Sequence, residues 1–544
     1  MELVLTHHSE TEVAVTCNGT RSHRFALATV FPIQATPDAT PAPLEDPVGY
    51  GQLVYAALFG VDTVASKALA GLPERVVLVA ADPDLQSVPW EYAYGPNDWV
   101  VTEVPFVRGL PADKRVASAV VDQPLHVVVV PSNPLGGHLA PLDTEGEWVR
   151  LAEIINETDN DVTLERTVPA TLRQLRTLLA GERQRVIHFT GHGGQDAAGA
   201  LLFFEREIGD LAAEEVNASG NVEAVSAREF IKHIRGTAHL VVLSACVSAT
   251  PGETRFNNLA AALVEHKIPY ALGMRFSITE VDALAFCRSF YTELARGVPV
   301  EEAVRQGRLA LADSTRQWAI GVPVLYSALE TAAPPFVRRE GTPSVIPHRP
   351  HIDLEALPPV TGALQGRDGN LLGLEWYLTG DKREAIVTIH GPGGQGKTAL
   401  ARVGAERVAY EWPGGVLALN LETLPTKAQA LHAIGRFIGA DSEALADSAA
   451  AESAVEAYFN LLYWSKSHDW DKHEVMTCFE FDTTNQAHQK LTPFKFRTAE
   501  QAYQIIREEQ AAILVPYNTE AEALLHHLHT GMPADFRMLR RAQR

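Results

Sequence analysis

Three observations predict an α/β fold for this chain. Short apolar runs with the texture of buried strands recur through its first half: LHVVVVP from Leu125, VIHFTGH from Val186, HLVVLSAC from His239, IPYALGM from Ile268 and VPVLYSAL from Val322. Between them, EGEWVRLAEII, TLRQLRTLL, NNLAAALVEH and VDALAFCRSFYTELA place apolar residues three and four apart, the period of crossover helices. The strand runs are continuously apolar rather than alternating, so the sheet they form is covered on both faces.

A length of 544 residues allows roughly three to five domains. Residues 1–48 read as a small β-rich element, where LVLT, EVAVT and FALATVF alternate before the connector TPDATPAPLEDP. Residues 49–333 hold the strand and helix runs above. Seven prolines between Pro334 and Pro359 leave no amphipathic period, so 334–360 reads as an extended linker. A second, shorter α/β pattern fills 361–465. The segment 470–544 turns polar, aromatic and His-containing, and reads as a small α/β tail. No internal repeat of 20 to 50 residues is visible.

Composition narrows the function classes. With 46 basic against 67 acidic side chains, the net charge of −21 offers no long-range attraction to nucleic acid or anionic lipid. Cys17, Cys246, Cys287 and Cys478 lie far apart with no CxxC pair, which argues against a disulfide framework and against a thiolate zinc site. The sequence has no run of 18 apolar residues, and MELVLTHHSETE has neither a basic nor an apolar leader region. The expectation is a cytoplasmic protein with reduced thiols and no membrane partner.

Two apolar strands end in reactive side chains. VIHFT runs into Gly191-His192-Gly193-Gly194, and LVVLSA runs into Cys246-Val247-Ser248. Loops that leave adjacent strands at the carboxyl edge of an open α/β sheet converge there, and sites form at that edge. A thiol needs a base to become thiolate near neutral pH, and acyl transfer needs backbone N–H donors aimed at the oxyanion. His192 and Gly193 have the right chemistry for those two tasks. From these residues alone an equal alternative stays open, with Cys246 a small buried hydrophobe and His192 a turn histidine.

The pattern HFTGHGG, then LVVLSACVSA with Cys246 54 residues after His192, then NNLAAALVEHKIPYALGMRFSITEVDALAFCRSFYTELARGVPVEEAVRQGRLAL, resembles the CHAT family of caspase-like (clan CD) cysteine proteases. The likeness extends upstream to YGQLVYAALFG and to Ser87-Val88-Pro89-Trp90-Glu91-Tyr92, which is similar to that family's LPWEL signature. The resemblance implies a caspase-like sheet flanked by helices and a catalytic dyad. In it Cys246 is the nucleophile, His192 is base and acid, and the N–H groups of Gly193 and Cys246 form the oxyanion hole. It also implies a protein substrate, and no cofactor for the peptide-bond chemistry. Asp82, Asp84, Glu205 and Asp210 offer charges for a basic-selective pocket, but in so acidic a chain they read first as solvated surface. His188 invites a metal reading that lacks a third ligand. Trp90 and Glu91 read as packing and a structural ion pair.

Farther on, IVTIH leads into Gly391-Pro392-Gly393-Gly394-Gln395-Gly396-Lys397-Thr398, a G-x4-G-K-T loop between an apolar strand and a helix. Gly391, Gly393, Gly394 and Gly396 let successive N–H groups close around phosphate oxygens. Lys397 adds a point charge, and the Thr398 hydroxyl suits a Mg²⁺ position. ATP or another NTP with Mg²⁺ is the expected ligand. LQGRDGNLLGLEWYL before the loop resembles the lead-in of STAND ATPases of the NB-ARC and NACHT type. VLALNLETL suits that family's second strand, but no later apolar strand ends in a Mg²⁺-binding aspartate. CFEFD, ending at Asp482, is the nearest candidate. The P-loop module therefore reads as partial, suited to binding nucleotide more than to hydrolysing it.

The last stretch, PFKFRTAEQAYQIIREEQAAILVPYNTEAEALLHHLHTGMPADFRMLRRAQR, resembles the C-terminal region of the helicase-nuclease of type I CRISPR systems. That implies a docking tail for a CRISPR surveillance complex, with a fusion remnant or a generic α/β tail as bland alternatives. His526, His527 and His529 fit an exposed helical face better than a metal site. Arg537, Arg540, Arg541 and Arg544 either touch phosphate or solvate a terminus. The leading expectation is a cysteine endopeptidase gated by nucleotide or by its tail, in bacterial defence or regulated cell death, with oligomerisation an open option. The rivals are a nucleotide-dependent scaffold with an inactive protease domain, and a CRISPR-associated effector recruited through 470–544.

Overall fold

The computed structural model describes residues 1–31, 42–80, 82–117, 124–136, 139, 142–158, 162–181, 184–196, 199–206, 220–245, 255–276, 278–312, 316–332, 352–360, 364, 366–379, 386–389, 394–409, 415–420, 427–437, 511–516 and 537–541. The chain divides into two compact units. The first comprises Met1–Arg206 with Val222–His348, and the rest of the chain forms the second.

The first unit is a mixed α/β structure built on one large sheet. Its strands are β1 (Glu2–His7), β2 (Glu12–Cys17), β3 (Thr20–Ala26), β4 (Val76–Ala80), β5 (Phe106–Gly109), β6 (Leu125–Pro131), β7 (Val162–Arg166), β8 (Arg185–Gly191), β12 (Ala238–Ala245), β13 (Tyr270–Met274) and β14 (Pro323–Ser327). They lie in the order β3-β2-β1-β4-β5-β14-β13-β12-β8-β6-β7. Between β8 and β12 the chain makes a separate three-stranded sheet of β9 (Gly193–Asp196), β10 (Gly199–Glu205) and β11 (Val222–Ser226). The apolar runs read from the sequence form β6, β8, β12, β13 and β14. All seven residues of β6 and of β8 are buried, as continuous hydrophobicity requires.

The helices follow in chain order: α1 (Ala42–Glu45), α2 (Pro47–Phe59), α3 (Val64–Ala70), α4 (Pro83–Ser87), α5 (Val100–Glu103), α6 (Thr144–Asn156), α7 (Leu172–Leu178), α8 (Ala227–Ile234), α9 (Arg255–Glu265), α10 (Glu280–Ala295) and α11 (Val300–Ala312). One core cluster fills the space between the sheet and α7, α8 and α9. There Val128, Val130, Ile187, Phe189 and Leu243 meet Leu175, Phe230, Ile234 and Leu263, with Leu202, Phe204 and Val225 of the smaller sheet. Each such side chain, fully withdrawn from water, contributes about 1.5–3 kcal/mol. The opposite face of β8 carries His188 and Thr190, which meet Glu147 of α6 and Tyr291 of α10.

The sequence reading set residues 1–48 apart, yet β1 pairs in parallel with β4, so the first three strands continue the large sheet. A strand's own alternation identifies it as a strand without naming its partner. Its core, around Trp90, Tyr92, Trp99 and Phe59, is separate from the one beside β8.

The second unit holds β15 (Ile352–Asp353), α12 (Asp368–Thr379), β16 (Ile386–Ile389), α13 (Lys397–Val408), β17 (Gly415–Ala418), α14 (Lys427–Phe437), β18 (Ala511–Pro516) and β19 (Arg537–Arg541). Among the described residues its five strands are all parallel, in the order β15-β17-β18-β19-β16. Two findings amend the sequence reading. The Pro-rich linker does not extend to 360, because β15 pairs with β17 and Leu354 and Leu357 are buried in this unit's core. Apolar residues spaced among prolines were enough to dock it. The strands of the 470–544 tail are hydrogen-bonded into the same sheet as the strand that leads to the P-loop, with Thr388 opposite Arg540 and Ile389 opposite Arg541. Asp482, the histidines at 526, 527 and 529, and Arg544 lie outside the described residues. Among the described residues, no single helix is long and apolar enough to cross a membrane.

Candidate active site

β8 and β12 are parallel neighbours, and Thr190 pairs with Ser244 and Gly191 with Ala245 at their carboxyl ends. His192 follows Gly191 directly and is buried at 5% exposure. The turn at Gly191 leaves no room for a side chain. A Cβ there would stand 2.9 Å from the Ser132 carbonyl oxygen and 3.0 Å from Phe189. Ser132, at the end of β6, donates its N–H to the Thr190 carbonyl at 2.8 Å and its hydroxyl to the Phe203 carbonyl at 2.7 Å. The His192 carbonyl accepts the Phe203 N–H at 3.1 Å, and Gly193 begins β9 opposite Leu202. The histidine is thus anchored through its backbone by β10.

On the partner strand, the described residues end at Ala245, one residue before Cys246. Cys246 itself lies outside them, as does the loop through residue 254.

Beneath the two strand ends sits a polar network that sequence reasoning missed. Glu147 Oε1 accepts from His188 Nε2 at 3.0 Å, and Oε2 accepts from the Thr190 hydroxyl. Ser244 donates to the same carboxylate. Burial alone would raise the Glu147 pKa, but the hydrogen bond and charge of His188, with the hydroxyls of Thr190 and Ser244, bring it down to about 2. The Tyr291 hydroxyl lies 2.6 Å from His188 Nδ1, and the two rings stack at 5.8 Å. His188 is thus engaged with Glu147 and Tyr291, a partnership that answers the metal reading with a hydrogen-bonding one. The available signal was polarity out of place: Thr190 and Ser244 interrupt otherwise apolar strands, and buried hydroxyls need partners.

Of the four acidic residues weighed for a basic-selective pocket, Asp82 caps α4 by accepting the Asp84 N–H at 2.9 Å. Glu205 departs from the surface expectation. It is buried and accepts the Ala170 N–H at 3.1 Å and the Asn133 N–H at 3.3 Å. Asp210 lies outside the described residues. Trp90 and Glu91 are both fully buried. Trp90 donates its indole N–H to the Leu85 carbonyl at 2.7 Å, and Glu91 is paired with Arg108.

In the second unit, Gly391 and Gly393 lie outside the described residues. Gly394 and Gly396 adopt φ of 75° and 73°, which side-chain-bearing residues rarely enter, and among the described residues nothing stands within 4 Å of where a Cβ would be. Lys397 opens the twelve-residue α13 and is buried at 7% exposure, while Thr398 beside it is half-buried. Arg367 braces the loop from α12's N-terminal side, donating to the Gln395 carbonyl at 2.8 Å. Left-handed glycines and a helix N-terminus carrying a lysine fit a phosphate chain. The strand beside β17, where a Mg²⁺-binding carboxylate would be sought, is β18, and it closes on Val515-Pro516.

A family model described as CHAT domain matches residues 49–350. No curated protein matches the chain. Among solved structures, the Saccharomyces cerevisiae separase–securin complex matches at 12% identity and a TM-score of 0.27, covering 48% of this chain. This chain spans 16% of that one's length. The Arg-specific cysteine proteinase gingipain R matches at 10% identity and a TM-score of 0.30, covering 57% of this chain and 81% of its own.

Proposed function

The chain belongs to the CHAT domain family, and from that premise we propose that it is a caspase-like cysteine endopeptidase working through Cys246 and His192. The observation that supports this reading is the register of β8 and β12, which brings the residues just before His192 and Cys246 side by side at one sheet edge. In the proposed reaction His192 takes the thiol proton, and the Cys246 sulfur attacks the scissile carbonyl carbon. The N–H groups of Gly193 and Cys246 receive the oxyanion. Collapse expels the amine with the proton from His192, and water then releases the acid and restores the thiol.

The test is cleavage of a positional-scanning fluorogenic peptide library by wild type and Cys246→Ala, with and without Mg·ATP. Activity that the substitution abolishes supports the endopeptidase. A Cys246 that neither cleaves nor reacts with a thiol-directed peptide electrophile in any condition supports the rival, a scaffold with an inactive protease domain.

We further propose that the second unit binds ATP or a related nucleotide with Mg²⁺ and gates the protease. The left-handed Gly394 and Gly396 and the buried Lys397 support binding, and Thr398 would take the Mg²⁺ position. With Pro516 closing β18, nucleotide acts here as a bound signal rather than as fuel. Recruitment to a type I CRISPR surveillance complex through 470–544 is the remaining proposal. Loss of copurification on deleting that segment from the full chain would support it.

A further inference from the structure

One carboxylate gathers hydrogen bonds from both strands that lead to the proposed dyad. Glu147 accepts from Thr190 on β8 and from Ser244 on β12, and these two residues are partners in the strand register. Each stands two residues before a dyad member, Thr190 before His192 and Ser244 before Cys246. Glu147 is itself held in place. It sits in the first turn of α6, whose start is capped by Asp143 accepting the Gly146 N–H at 3.0 Å. His188, its third donor, is fixed from behind by Tyr291 of α10. The carboxylate side chain is 17% exposed.

A sheet register is already set by backbone pairing, but the last residues of adjacent strands are where pairing ends and drift begins. A charged acceptor bonded to one hydroxyl on each strand removes that freedom, because charge-assisted bonds are stronger than neutral ones and costly to break when buried. We propose that Glu147 is a positioning residue: it clamps the ends of β8 and β12 so that the His192 imidazole and the Cys246 thiol meet. The proposal rests on the endopeptidase reading.

The experiment follows alkylation of Cys246 by iodoacetamide against pH, resolved by peptide mapping, together with kcat and KM on the best library peptide and Tm. Variants of the full-length chain are Glu147→Gln, Glu147→Asp, Ser244→Ala and His192→Ala. In Glu147→Gln the alkylation midpoint rises toward that of an unassisted thiol, near pH 8.5. In the same variant kcat falls roughly 10- to 100-fold at unchanged KM, as small misplacements of reacting groups do. Glu147→Asp keeps the charge and recovers part of both. Ser244→Ala, which removes one donor, shifts both in the same direction by less, and carries the test if Glu147→Gln does not fold.

A variant whose Tm falls while the Cys246 midpoint and kcat stay at wild-type values overturns the clamp and leaves Glu147 a stabilising residue only. If in that case His192→Ala still moves the midpoint, the dyad stands and only the clamp is lost. If His192→Ala leaves the midpoint where it was, the dyad falls and the clamp with it.

Discussion

Glu91 and Arg108 form a two-pronged ion pair inside the first unit, Nε to Oε1 at 2.8 Å and Nη2 to Oε2 at 2.7 Å, with both side chains almost wholly withdrawn from water. Arg275 and Arg308 are buried around the same carboxylate, so one anion offsets three guanidinium groups. Arg108 and Arg308 also donate to the backbone carbonyls of Gln86, Val88, Phe106 and Pro323. The cluster therefore ties β5 to α4, α11 and the start of β14.

Glu91→Gln keeps the shape and removes the charge. Breaking one side of a buried pair costs about 3–5 kcal/mol, because the cations left behind have no compensation. Urea unfolding followed by tryptophan fluorescence is expected to show a loss of that size. A loss under about 1 kcal/mol would mean that the guanidinium groups find other partners.

Acid should unfold the first unit through identifiable carboxylates. Burial would raise the Glu91 pKa, but Arg108, then Arg275 and Arg308, hold it below its ordinary value, and Glu147 is brought down to about 2. A depressed folded-state pKa means that the stabilisation is fully present above the unfolded value, near 4.5, and is lost as pH falls through the folded value. Stability measured against pH is expected to be flat with respect to these groups above about pH 4.5 and to fall between there and pH 2. Glu147→Gln should make that limb shallower. An unchanged limb would assign acid sensitivity to other groups.

Nucleotide binding predicts a thermal shift. A ligand at a hundred times its Kd adds about 2.7 kcal/mol to the state that binds it. Mg·ATP is expected to raise the melting transition of the second unit, and Lys397→Ala to abolish the rise with little change in the unliganded transition. A rise that survives in Lys397→Ala would place the nucleotide elsewhere.

The half of the large sheet around β8 was legible because its strands are buried on both faces, so β6, β8, β12, β13 and β14 stand out as apolar runs whatever their partners. What the sequence concealed is partnership. Nothing in EVAVT or LVLT says that β1 joins β4 some seventy residues later, and nothing in AAILVP says that it lies between β17 and β19. Glu147 was hidden for a different reason. An acidic residue in the first turn of an amphipathic helix is favourable there on its own account, so it reads as a solvated charge. Its meaning comes from Thr190 and Ser244, which only the strand register brings together. Glu205 was misjudged likewise, since its two backbone donors, Ala170 and Asn133, come from distant segments.

The place of β14 has a consequence for biosynthesis. It is the seam of the large sheet, parallel to β5 on one side and antiparallel to β13 on the other, and it is the last of the eleven strands in chain order. During translation at roughly 5–20 residues per second, the edges of β5 and β13 stay open until it emerges, for β5 on the order of 10–40 s. An unpaired strand edge is a template for intermolecular pairing. The nascent chain is therefore most vulnerable to aggregation just before Pro323–Ser327 leaves the ribosome, and truncations upstream of that point should depend on chaperones far more than the chain that includes it.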